Sequence, residues 1–142
     1  MDVLQLLKAK HKQVLDMFAA DNADGIAQVE QSKALIEALV TIKRDYLYPE
    51  LAASGAVNER KLQRFEEALQ AVASSLPKAA GDAAGWEALR SRVVSQFNDE
   101  EDILFPSIRQ GMSTADREEL AQVFEDAMDA LPQSSSSANR AI

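Results

Sequence analysis

The sequence predicts an all-α protein: an antiparallel up-down-up-down four-helix bundle with a short fifth helix at its C-terminal end. Three observations lead there. Five Gly and four Pro among 142 residues leave few breaks, while Ala, Leu, Glu, Gln, Lys and Arg abound. Apolar residues recur at steps of three and four along several long stretches, the period of a half-buried helix. No stretch alternates apolar and polar residues between turn signals, as a strand would. The length suits one domain. Residues 1–131 are therefore assigned to the bundle, and the Ser-rich run 132–142 to a disordered tail.

The helices are expected near 2–21, 26–53, 58–76, 83–110 and 113–131. In the first, Val3, Leu7, Val14 and Phe18 share a face. A turn at 22–25 opens the second, and Ser54-Gly55 closes it. In the third, Leu62, Phe65, Leu69, Val72 and Leu76 step 3-4-3-4 until Pro77. Gly81-Asp82 precedes the fourth, where Trp86, Leu89, Val93 and Ile103 keep the rhythm and Gly111 ends it. Ser113 with Asp116 forms a capping pattern before the fifth. The inward set should include Leu7, Val14, Leu39, Leu62, Leu69, Val93 and Ile103.

Composition narrows the function. Fifteen basic and 23 acidic residues give a net charge of −8. Residues 1–64 carry nine of each sign, so the excess sits in the second half. Such a surface repels phosphate backbones, which argues against a nucleic-acid partner. No apolar run is long enough to span a bilayer, and the N-terminal stretch lacks a signal-peptide core, so a cytoplasmic location is expected. The absence of Cys removes disulfides, thiol nucleophiles and Cys-ligated metals.

An internal echo stands out. Arg44-Asp45-Tyr46-Leu47-Tyr48-Pro49-Glu50-Leu51 aligns with Glu101-Asp102-Ile103-Leu104-Phe105-Pro106-Ser107-Ile108 at an offset of 57. Each copy lies late in a long helix, where the proline should kink or terminate the run. The second and fourth helices thus read as equivalents in two pseudo-symmetric helix pairs.

Polar residues interrupt the apolar stripes. His11, the only histidine, falls between Leu7 and Val14, and Gln96 and Glu100 fall between Val93 and Ile103. The offset of 57 sets Leu39 against Gln96 and Lys43 against Glu100. Inward polar groups need partners, so His11, Lys43, Gln96 and Glu100 are expected to converge mid-bundle. Plainer alternatives stand beside this one. His11 alone reads as a satisfied core histidine, Glu100 as the edge of the solvated acidic run 98–102, and Lys43 as a side chain snorkelling to solvent.

Three passages together resemble the hemerythrin family in its bacterial His–His–Glu cation-binding form. They are residues 2–11 with Val14 and Phe18, then Tyr48-Pro49, then Glu100-Glu101 ahead of Leu104-Phe105-Pro106. The resemblance spans roughly residues 2–130 and implies an antiparallel four-helix bundle around a di-iron or other metal centre. The family motif places a His on helix one, His-x-x-x-Glu on helices two and four, and a His on helix three. Carried over, these positions fall on His11, on Leu39 and Lys43, on Leu62, and on Gln96 and Glu100. Only His11 and Glu100 retain ligand chemistry. Two ligands are too few for a di-iron centre, and an ammonium at Lys43 would repel a divalent cation or instead pair with Glu100.

The resemblance thus implies a degenerate member with its metal centre dismantled and no cofactor, a non-enzyme acting as a regulatory or protein-interaction module. Its protein partner and oligomeric state are not specified by the sequence. One alternative is an iron protein with a reduced site of His11 and Glu100, aided by Gln96 or Asp99, that binds or senses oxygen or nitric oxide. Another is a histidine phosphotransfer module using His11.

Overall fold

A computed structural model describes residues 2–24, 26–79 and 83–131. The described chain is all-helical, with no strand among the described residues. Its elements are α1 (Val3–Asp24), α2 (Ile26–Ile42), a π turn (Lys43–Leu47), α3 (Tyr48–Ser54), α4 (Glu59–Ser75), a short 3₁₀ turn (Pro77–Ala79), α5 (Ala83–Asp99), a second π turn (Glu100–Leu104), α6 (Phe105–Gly111) and α7 (Thr114–Ala130). Because the π turns join α2 to α3 and α5 to α6 without a break, five long helical runs result, close to the expected spans. None of the described helices is long and apolar enough to cross a membrane. The expected turn at 22–25 is helical as far as Asp24. Residue 25, the Gly81-Asp82 break and the tail 132–142 lie outside the described residues.

The stripes bury as their periodicity requires. Val3, Leu7, Val14 and Phe18 of α1, Leu39 of α2, Leu62, Phe65, Leu69 and Val72 of α4, and Leu89 and Val93 of α5 all lie in one core. Helix α1 packs on α2, α5 and α7, and α4 packs on α5, α2 and α3. The C-terminal helix was expected to be a short addition, but α7 has 17 residues, as many as α4. It buries Leu120, Ala121, Phe124 and Ala127. Its capping is as expected: the Ser113 side chain accepts from the Asp116 N–H.

Ile103 corrects the inward set. It is 48% exposed, and Leu104 occupies the buried position. The cause is the π turn, which inserts one residue into the helical period and rotates everything after it. The prolines explain why the turn is there. Pro49 and Pro106 lack an N–H, and their rings clash with the carbonyl four residues back in a regular helix. Just before each proline the helix widens: the Tyr48 N–H donates to the Lys43 carbonyl and the Phe105 N–H to the Glu100 carbonyl, five residues back. The helix therefore changes register and continues, where an ending or a kink was expected.

Candidate functional site

Lys43 and Glu100 hold the first positions of the two π turns, 57 residues apart, and both are fully buried. The repeat thus brings its two equivalent residues face to face. Lys43 Nζ lies 2.6 Å from Glu100 Oε1. The same nitrogen lies 3.0 Å from His11 Nε2, which is itself 3.2 Å from Glu100 Oε1. On the far side of the ring, His11 Nδ1 lies 2.8 Å from Glu101 Oε2. Tyr48 donates its hydroxyl proton to Glu100 Oε2. Gln96 Nε2 stands 3.0 Å from that same oxygen and 3.0 Å from the Tyr48 hydroxyl.

The partners assign the protons. A carboxylate only accepts, so His11 Nδ1 carries the hydrogen that Glu101 receives. Nε2 faces both the Lys43 ammonium and Glu100 Oε1, and Lys43 donates to Glu100. Its nitrogen also sits 4.8 Å from the centroid of the Phe97 ring, within cation–π range. Phe97 stacks on His11 as well, with centroids 3.8 Å apart and planes 6° from parallel, and Phe105 flanks the imidazole at 6.1 Å. The imidazole is clamped by rings and by hydrogen bonds at both nitrogens.

Electrostatics follow from burial and pairing. Burial by itself would push the Glu100 carboxyl up, but the Lys43 charge, then the hydrogen bond and charge of His11 and the Lys43 hydrogen bond, overcome this and lower it from 4.5 to about 2. Burial pushes the Lys43 ammonium below its usual value, and Glu100 holds back part of that fall. Burial, and then the adjacent Glu100 charge, raise the Tyr48 hydroxyl well above 10, so it remains a donor.

The structure therefore brings together His11, Lys43, Gln96 and Glu100. It removes the alternatives of a solvated Glu100 and a snorkelling Lys43, since both are 0% exposed. Leu39 and Leu62 are buried in the apolar core. Asp99, the suggested auxiliary donor, is exposed and lines surface grooves.

Three participants escaped the sequence reading. Tyr48 lies five residues after Lys43, a step that an α-helix spreads around its circumference and a π turn returns to one face. The repeat and its prolines were the available signal. Glu101 was hidden in an acidic run, and nothing in the pattern marked Phe97 as the stacking plane for His11.

The hemerythrin resemblance puts former metal-ligand positions at His11 and Glu100, where the donors are already committed. Both His11 nitrogens are engaged, and both Glu100 oxygens accept hydrogen bonds from Lys43, Tyr48 and Gln96. A divalent ion beside Glu100 would meet the Lys43 ammonium within a few ångströms. Among the described residues, no group of three or more His, Asp or Glu side chains is placed to hold a metal ion. These residues do not fit a metal. No protein-family model, no curated protein and no solved structure matches the chain.

Proposed function

We propose that this protein is a metal-free, non-catalytic bundle of hemerythrin-like architecture that acts through protein contacts, its metal centre replaced by a lysine-centred hydrogen-bond cluster. The observation that carries this is the position of Lys43 Nζ, 2.6 Å from Glu100 and 3.0 Å from His11. These are the two positions at which the family register keeps ligand chemistry, and the ammonium takes the place of the cation between them. The up-down-up-down arrangement is supported by short connections such as 55–58, the kind of link that joins antiparallel neighbours in helical bundles. The pairing of α1 with α2 and of α4 with α5 supports it too.

The cluster offers little to chemistry. Its carboxylate, amine and imidazole are mutually satisfied and sealed from water, so no group is left to take a proton from a substrate. A phosphotransfer role for His11 is disfavoured on the same ground, because the imidazole is 0% exposed with both nitrogens occupied. What remains accessible is the surface, and its acidic second half favours protein partners over nucleic acid.

Elemental analysis and a visible spectrum of protein purified from iron-replete cells test the metal-free core. The expected result is substoichiometric iron, zinc and manganese and no absorbance beyond that of the aromatic residues. One iron per chain would overturn it.

A further inference from the structure

The π turns have a second effect, on the surface. Each turns one bulky apolar residue outward at an equivalent position: Tyr46 is 46% exposed and Ile103 48%. Each lines a groove, of about 440 Å³ at Tyr46 and about 360 Å³ at Ile103, and no residue lines both. The charges around them are opposite. The Tyr46 groove is rimmed by Asp45, Glu50, Asp116 and Glu119, has no basic lining residue, and includes the exposed Val123. The Ile103 groove is rimmed by Arg60, Lys61 and Arg64 against the single acid Asp99.

These rim charges are largely uncommitted. Among the described residues, Asp45 pairs with Arg44, and Lys61 bonds the Ser107 hydroxyl. Arg60, Arg64, Glu50, Asp116 and Glu119 make no side-chain ion pair among the described residues. Three cations around an apolar floor on a protein of net charge −8 form an unusual concentration of positive charge.

We propose that the two grooves are the complementary halves of one heterologous interface, and that the occupant of each is a second copy of this chain. The Tyr46 surface of one copy, with its carboxylates, seats on the basic Ile103 surface of the next. The apolar centres are removed from water while the rim charges pair and set the register. Because the halves are different surfaces, a pair of copies leaves one acidic and one basic groove free, and assembly proceeds head to tail to a ring or a filament. A self-complementary dimer built on one groove alone would bring like charges together. The inference rests on the chain acting through protein contacts, and it names the partner; it does not depend on what the core holds.

Sedimentation velocity across a concentration series, at about 0.05 M and about 0.5 M NaCl, is the first test. The wild type should associate at low salt, with the apparent dissociation constant rising about tenfold or more at high salt. A wild type that stays monomeric at low salt overturns the inference. Charge reversal is the second. Arg60→Glu with Arg64→Glu makes both grooves acidic, and Glu50→Lys with Glu119→Lys cancels the charge of the Tyr46 groove, leaving the basic Ile103 groove without an acidic complement. All four positions are exposed, and circular dichroism verifies that each variant is folded. Each variant alone should be monomeric, and a one-to-one mixture of the two should associate. Self-association of either variant at the wild-type level, or a monomeric mixture, overturns the complementary pairing. Iron found in the core would overturn the metal-free reading while leaving this result standing, and a monomeric iron-free protein would do the reverse.

Discussion

Lys43 and Glu100 are each fully buried, and each is tolerable there because of the other. A buried ion pair is not in itself a large source of stability, since both charges have left water, but breaking it from one side strands a charge. Lys43→Met should therefore destabilise the fold by about 3 kcal/mol in a denaturant titration. Adding Glu100→Leu should recover much of that loss; a single mutant within about 0.5 kcal/mol of wild type would show that the pair carries no such role. The pH dependence has a definite sign. Glu100 titrates near 2 in the folded protein against 4.5 ordinarily, so the folded state favours its ionised form. Its contribution is fully present above about pH 4.5 and is lost as the pH falls through about 2. Urea midpoints measured from pH 6 down to pH 2 should fall over that interval, and the fall should be shallower in Glu100→Gln.

At the level of elements, the two helix ends after the prolines show how one residue type serves different physics. Gly55 follows α3 at φ 75°, the left-handed conformation that only glycine adopts without strain. Gly111, at the end of α6, has no positive φ. There a Cβ would stand 2.7 Å from Ala56 Cα, so the constraint is close backbone approach between the two chain reversals. Since the obstacle is backbone rather than a flexible side chain, Gly111→Ala should cost about 1–3 kcal/mol, read as a lowered thermal midpoint. An unchanged midpoint would mean that the two reversals are free to separate. The helices themselves were legible in the sequence because their stripes are long and unambiguous, and the caps at Ser113 and Ser54-Gly55 are local chemistry. The π turns were not, although their positions coincide with the repeat. Proline indicates that a regular hydrogen bond is lost but not which of ending, kink or widened turn replaces it. Ile103 went to the wrong side for that reason.

Across the whole molecule, the core combines an apolar envelope with a polar centre that supplies its own cation. Stability should then be indifferent to metal: an excess of chelator should leave the melting temperature unchanged. A loss of several degrees would reveal an ion bound by the native state alone, which stabilises by linkage. Helix α7 adds to the same core through Phe124 and Leu120, and Arg117 lies 3.6 Å from Asp2 at the start of α1. The start of α7 is therefore held against the start of α1.

By itself the sequence determined the helical class, the spans of the long helices, most of the inward faces and the repeat that makes positions 43 and 100 equivalent. These follow from interactions a few residues apart: hydrophobic period, capping and proline sterics. It also isolated His11, Gln96 and Glu100, because a polar residue on an apolar stripe is visible as an interruption, and Lys43 through the repeat offset from Glu100. Tertiary structure alone decided which of them touch, that Tyr48 and Glu101 complete the set, and that Phe97 lies flat on the imidazole. Apart from the local Gln96–Glu100 bond, those contacts join residues 32 to 90 positions apart and depend on a one-residue change of helical register. A proline marks where such a change can occur but not that it replaces an ending or a kink.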